Sequence, residues 1–282
     1  MRIVITGSEG QLGSALKRIL ANEDLVLKDL PEFDLTKPAC EDEIRGANPD
    51  IILHVGAYTN VDQAERDPEQ AHAVNAKGTR WVAQAAKAVK ARLVYLSTDY
   101  VFDGMKTSPY HEQDQPHPLN QYGLSKYDGE QTVLRLCPDG LVVRTAWLFG
   151  HDGNNFVKTI MRLAEERPVL DIVADQRGCP TYVEDLAHAL KQLATSDLRG
   201  ICHVTNSGDC SWYEFAQAIA SQTAVKPVVR PITTAQAGRP AKRPAYSVLS
   251  HDRFAMQYSP LPHWQDALSR FMKRVSHPLS PA

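Results

Sequence analysis

The 282-residue chain has no apolar run approaching the roughly 18 residues that a membrane-crossing helix needs, so a helical membrane protein is not expected. Its opening, "MRIVITG", breaks into glycine after only Ile3–Val4–Ile5, too short for the core of a signal peptide. Cysteine is sparse: five residues, an odd and scattered set (Cys40, Cys137, Cys179, Cys202, Cys210) without any C-x-x-C spacing. That pattern supports neither a disulfide framework nor a zinc site. Neither charge sign dominates, with 31 Lys+Arg against 33 Asp+Glu and a formal net charge of −2, which argues against nucleic acid as the main partner. No internal repeat or low-complexity block is present. What remains is a chain 43% hydrophobic, long enough for one large domain or two modest ones and expected in the cytoplasm.

From Met1 to Arg144 short apolar runs alternate with helix-like segments. Residues 2–6, 25–29, 50–54, 92–97 and 141–145 read as five buried strands. The helical patterns between them cover residues 11–21, 38–47, 68–90 and 121–136. Strands separated by helices of this length form βαβ units, hence a parallel sheet covered by helices on both faces. After Trp147 the rhythm changes to amphipathic helices ("FVKTIMRLAEE", "YVEDLAHALKQLA", "WYEFAQAIASQ") joined by short apolar runs, and residues 226–249 read as extended and loop-rich. The expectation is an α/β protein: a doubly wound nucleotide-binding domain over 1–147 and a smaller, mainly helical substrate-binding cap over 148–282, with elements allowed to interleave.

"TGSEGQLG" sets Gly7, Gly10 and Gly13 directly after the first strand and at the head of a helix. Glycines there let the backbone approach a pyrophosphate, and the helix start offers free N–H groups and the positive end of its dipole. An isolated glycine motif is weak, and incidental glycines in an ordinary strand–helix turn would look alike; its place at the first strand of a βαβ series makes it a dinucleotide signal. The adenosine ribose acceptor belongs about 20 residues on, where Asp29 stands, with Asp34 and Leu35 following. An acid there favours an unphosphorylated ribose, whereas Lys28 beside it tolerates a phosphate, so the residues leave NADH and NADPH both open.

The fourth strand ends in Ser97-Thr98-Asp99, and a later helix carries Tyr122 and Lys126 four residues apart, on one helical face. Taken alone, such a pair equally fits a tyrosine beside a surface lysine. In a parallel sheet, however, the carboxyl end of a strand is where ligands bind. A tyrosine of ordinary pKa near 10 exchanges protons poorly at neutral pH, and a neighbouring ammonium lowers that barrier. With Thr98 fixing a substrate oxygen, the set describes carbonyl–alcohol redox chemistry.

These motifs resemble the extended short-chain dehydrogenase/reductase superfamily, whose sheet is of the Rossmann type. Within it "STDYVFDG", "RTAWLFG" and "DQRGCPT", with "GAYTNVDQAE", "YGLSK", "GNNFVKTIMRLA" and "RPAYSVL", resemble the dTDP-4-dehydrorhamnose reductase family over nearly the whole chain. The resemblance implies a cofactor, NADPH or NADH, with its pyrophosphate on Gly7, Gly10, Gln11, Leu12 and Gly13 and its adenosine by Asp29, Asp34 and Leu35. Ala57, Tyr58, Thr59 and Leu96 would line the nicotinamide half. Thr98 would bind the sugar's C4 oxygen, Tyr122 would protonate it, and Lys126 would hold the nicotinamide ribose. Val61, Asp62, Thr98, Asp99, Tyr100 and Trp147 would contact a deoxythymidine-diphosphate sugar, although Trp147 also reads as a core aromatic. Some members are held to dimerise through acidic residues around Mg²⁺. Here "GSALKR" has Ala15 where a glutamate would be wanted, so no metal is expected and a monomer or an unbridged homodimer is the reading.

Other residues read as structural. His54 is a satisfied histidine at a strand end, Asn75 a backbone-bonding asparagine, and one of Asn154 and Asn155 a helix cap. Arg177 and Arg243 are candidates for a diphosphate, against the commoner loop arginine, and "GRPAKRP" reads either as surface or as a flap over the nucleotide. A 4,6-dehydratase would want Thr-Asp-Glu where this chain has Thr98-Asp99-Tyr100. A 4-epimerase needs the same Tyr and Lys, and a non-catalytic nucleotide-binding regulatory subunit is the reading from another class.

Overall fold

The computed structural model describes residues 1–276. The five apolar runs become β1 (Arg2–Thr6), β2 (Asp24–Lys28), β3 (Ile51–His54), β4 (Arg92–Thr98) and β5 (Leu141–Thr145). Between them lie α1 (Gln11–Ile19), α2 (Ala39–Ala47), α3 (Val61–Arg66), α4 (Pro68–His72), α5 (Thr79–Val89) and α6 (Gln121–Leu136). Every residue of β3 and β5 is buried. β2 differs from the expected buried strand: it lies at the edge of the sheet with one neighbour, and Leu27 is 45% exposed. The single long helix expected over 68–90 is broken by a π-helical turn at Ala73–Gly78, and such turns often mark functional sites.

The later chain forms β6 (Leu148–Phe149), α7 (Phe156–Glu166), β7 (Val169–Val173), β8 (Arg177–Gly178), β9 (Thr181–Tyr182), α8 (Val183–Ala194), β10 (Gly200–His203), β11 (Cys210–Ser211), α9 (Trp212–Ala220) and β12 (Val228–Ile232). Short turns and a last helix, Trp264–Ser276, follow. Part of this region returns to the main sheet. β10 adds a sixth strand beside β5, giving the all-parallel order β10-β5-β4-β3-β1-β2. α8 lies against α1 and shares one core with it (Leu12, Leu16, Leu186, Leu190). Residues on both sides of position 147 therefore build the same sheet and its covering helices. Residues 226–249 are not all loop, since β12 pairs with β7 in parallel.

The sheet is covered on both faces. One core packs α1 and α8 on β1, β3 and β5; the other packs α2, α5 and α6 on the opposite side through Ile44, Val82, Tyr95 and Val133. A third core, rich in aromatics (Phe149, Tyr182, Phe215, Trp264, Phe271), belongs to the smaller C-terminal lobe. β1 neighbours β2 on one side and β3 on the other, so connections reverse there, and that reversal opens a crevice at the strand ends.

Candidate active site

The crevice is a cleft of about 750 Å³ running from the β1–α1 turn, past the ends of β3, β4 and β5, to the C-terminal lobe. At its head Gly7 adopts φ +70, and Gly13 sits so close to the β1 turn that a Cβ would lie 2.1 Å from the Gly7 carbonyl oxygen. These contacts draw the start of α1 against the strand. Gly10 is the extended N-cap, with no side-chain capping bond, and the first helical bond runs from the Ser14 N–H to the Gly10 oxygen. The amides of Gln11, Leu12 and Gly13 therefore face the cleft ahead of the helix. With backbone donors and no side chain at Gly7, Gly10 or Gly13, this turn fits an anionic pyrophosphate.

Farther along the same wall lie Asp29, Asp34 and Leu35. Asp29 accepts the amides of Glu9 (2.6 Å) and Leu30 (2.8 Å), which orients it and leaves lone pairs for a ribose hydroxyl. Lys28 pairs with Glu43 at 2.7 Å. Asp34 is held below the usual carboxylate range, first by the Thr36 hydroxyl and then by its amide. Ala57, Thr59 and Val61 follow β3 into the cleft. Two expected residues do not line it. Tyr58 has its N–H and C=O both bonded to the Asn75 side chain. Asp62 instead forms a forked pair with Arg243 (3.0 Å for both oxygens) and meets Arg239. Burial raises the Asp62 pKa, but Arg243 overcomes that and leaves it lowered.

The opposite side of the cleft holds Leu96, Thr98, Asp99, Tyr100, Tyr122, Lys126 and Trp147 together. Asn120 caps α6 by accepting the Gly123 amide (2.7 Å) and donating to the Lys242 carbonyl, which fixes Tyr122 in the first turn of the helix. One turn on, Lys126 Nζ donates to the Leu96 carbonyl (2.7 Å) and lies 4.2 Å above the Tyr95 ring. Burial pushes the Lys126 ammonium down to about 7, while Glu130 opposes that fall. Burial lifts the Tyr122 phenol to about 12, and the Thr98 hydroxyl is the influence that lowers it. The depression expected from Lys126 is not among these influences, desolvation dominates, and Tyr122 keeps its proton at neutral pH. The Thr98 hydroxyl donates to Asp99 Oδ1 and accepts from the Tyr100 amide. Buried Asp99, pushed up to about 7 by desolvation, accepts from Ser247 at 2.5 Å.

Residues singled out as structural have such partners. His54 bonds Thr6 and Thr79 and, being buried, is driven down to about 3. Asn75, inside the π-helical turn, bonds the backbone after β3 and also reaches Ser125 of α6 (2.9 Å). It thereby ties the Tyr58 loop to the Tyr122 helix. Asn155 caps α7 and donates to Gln11 Oε1, while the Asn154 carbonyl accepts from Gln11 Nε2. Arg177 spends its charge on Asp209 and Glu214.

Several lining residues escaped the sequence reading, Trp212, Ser97 and Thr145 among them. Trp212 stacks on Trp147 with centroids 3.4 Å apart and planes 7° from parallel, behind a Trp147 backbone at φ 46. Ser97 and Thr145 are buried at the ends of β4 and β5, line the cleft, and have hydroxyls without a hydrogen-bond partner. Buried orphan hydroxyls are costly, so these fit a polar ligand. A hydroxyl residue closing an apolar run was their signal. Among the described residues no group of three or more His, Cys, Asp or Glu could hold a metal ion, and no helix is long and apolar enough to cross a membrane.

The family model of the RmlD substrate binding domain matches residues 1–277. A dTDP-4-dehydrorhamnose reductase of Aggregatibacter actinomycetemcomitans is 41% identical, covering 95% of this chain and 97% of its own. One from Mycobacterium tuberculosis is 42% identical over 95% and 91%. Among solved structures, a Bacillus anthracis dTDP-4-dehydrorhamnose reductase in complex with NADP superposes with a TM-score of 0.94 at 43% identity, covering 97% of this chain and 99% of that one.

Proposed function

This chain belongs to the dTDP-4-dehydrorhamnose reductase family, and from that membership we propose how its cleft divides the work of reduction. It is an oxidoreductase that converts dTDP-4-dehydro-L-rhamnose to dTDP-L-rhamnose. NADPH or NADH, when bound, supplies the hydride that reduces C4. The open turn of Gly7, Gly10, Gln11, Leu12 and Gly13 binds the pyrophosphate through backbone N–H groups, Asp29, Asp34 and Leu35 flank the adenosine, and Ala57, Thr59 and Leu96 flank the nicotinamide half. Lys126 holds the nicotinamide ribose.

Thr98, turning its one hydroxyl proton from Asp99 Oδ1 to the substrate's C4 oxygen, orients the carbonyl. Tyr122 gives that oxygen its proton as the C–O bond becomes single, completing the alcohol. A phenol held near 12 arrives protonated, as a general acid must. Val61, Asp99, Tyr100 and Trp147 contact the nucleotide sugar, whereas Asp62, paired with Arg243 outside the cleft lining, does not, and residues of the C-terminal lobe complete the substrate side. The enzyme works in the cytoplasm as a monomer or homodimer, without a bridging metal.

The observation carrying this reading is the meeting of Thr98, Tyr122 and Lys126 across one cleft from the uncapped start of α1. The test is loss of NADPH and NADH absorbance with enzymatically made dTDP-4-dehydro-L-rhamnose. Wild type should turn over, and Tyr122→Phe should lose about 10²–10⁴-fold in rate while binding cofactor as before. A wild-type protein that binds cofactor yet leaves this substrate unreduced would refute the assignment.

A further inference from the structure

Lys126 is 3% exposed, and an ammonium so buried needs a reason to stay charged. Its direct contacts, the Leu96 carbonyl and the Tyr95 ring, are neutral. The ionisable groups around it offer little more. On β3, His54 is driven down to about 3. On β4, the Tyr95 phenol is pushed well up by burial. On α6, Tyr122 is pushed up likewise, and Asp99 just after β4 is itself raised to about 7.

One turn beyond Lys126 on α6, Glu130 is fully buried. Both its oxygens are held by Arg144 of β5, at 2.8 Å from Nε and 2.7 Å from Nη2. Arg144, also fully buried, lies over the Phe102 ring and turns its remaining nitrogen toward His203 Nε2 at 3.4 Å. His203 Nδ1 faces the Tyr110 carbonyl (3.1 Å), which makes Nδ1 the protonated nitrogen and leaves Nε2 to accept. The arginine is thus anchored by the carboxylate, the Phe102 ring and His203.

A buried pair of this kind is a poor device for stability, since apolar residues of like volume commonly serve as well. We propose that Glu130 is a positioning residue for the reduction: clamped by Arg144, its carboxylate is the counter-ion that keeps the Lys126 ammonium charged in the cleft. The inference rests on the role given above to Lys126.

The test follows the ¹³Cε signal of Lys126 in lysine-labelled protein, identified by its absence in Lys126→Met. The wild-type midpoint is expected near 7. With charges about 6 Å apart at an effective dielectric near 20, Glu130→Gln should lower the midpoint by roughly one to two pH units. The double variant Glu130→Gln/Arg144→Met leaves no orphaned charge and should fold even if the single variant does not; its midpoint should stay low. Glu130→Asp should return it toward wild type. An unmoved midpoint in Glu130→Gln, or a wild-type midpoint in the double variant, would overturn the proposal by making Glu130 merely the partner of Arg144. In activity, the alkaline fall of kcat should shift acidward by the same amount. A shifted titration with an unshifted kcat profile would instead locate the failure in the role given to Lys126.

Discussion

Alanine at Gly13 and alanine at Gly10 should fail in different ways. At Gly13 the new methyl would stand 2.1 Å from the Gly7 oxygen and 2.7 and 2.8 Å from Ser8 Cα and C, all backbone atoms. None can rotate away, so α1 must lift from β1. Overpacking of this kind costs about 1–3 kcal/mol, a fall in Tm of roughly 2–12 °C for a chain of this size. Because the displaced helix start is the pyrophosphate site, the same strain should raise the Kd for NADPH by about 5- to 150-fold. At Gly10 the backbone is extended (φ −71, ψ 172) and the methyl would meet only the Gly7 oxygen, at 3.3 Å. Gly10→Ala should therefore melt like wild type, yet lose roughly tenfold or more in NADPH affinity, about 1.4 kcal/mol, because its methyl fills the space the phosphate needs. Calorimetry and NADPH fluorescence titration on the two variants check both halves. A Gly13→Ala protein that melts and binds like wild type, or a Gly10→Ala protein as destabilised as Gly13→Ala, would refute the argument from close approach.

Asp99→Asn tests the buried carboxyl beside Thr98. Its folded value of about 7 lies above the ordinary 3.8, so the native state binds the extra proton and wild-type stability declines as pH rises from about 4 through 7. The Tm of the variant relative to wild type should climb between pH 5 and pH 8, and a difference independent of pH would sink the claim. Asn75→Ala removes the side chain that joins the Tyr58 loop to Ser125 and should cost about 1–3 kcal/mol. Denaturant unfolding measures that, and a kcat unaffected by it would deny Asn75 any part in placing Tyr122. Asn155→Ala should cost about 1 kcal/mol as a lost helix cap, and a few-fold in NADPH affinity through release of Gln11. Unchanged affinity would separate the clasp from cofactor binding.

Five strands and the glycine turn were readable because their signals are local: apolar runs, their spacing, and glycines at a strand end. β10 was not. "GICH" is four residues long, ends in a polar side chain, and owes its place to β5, about sixty residues earlier. The π-helical turn was hidden too, since one extra residue in a helical turn leaves apolar spacing nearly unchanged, and so was the tie that Asn75 within it makes between the Tyr58 backbone and Ser125. Asp62 was expected to touch the substrate but lies outside the cleft lining, and its pairing with Arg243, 181 residues away, leaves no trace in either segment. The Tyr122–Lys126 spacing was legible, whereas the strength of burial around each, which decides both their pKa values, is a tertiary quantity.

The late arrival of β10 bears on how the molecule is made. β5 ends at Thr145 and its outer neighbour begins at Gly200. A ribosome adding ~5–20 residues per second needs roughly 3–11 s to cross that gap. For that interval the growing chain carries a hydrophobic strand with one row of backbone donors and acceptors unpaired, a template for any other strand nearby. Nascent-chain protection and expression temperature should matter most while residues 146–203 are being made, and a fragment cut at the end of β5 would keep that open edge permanently.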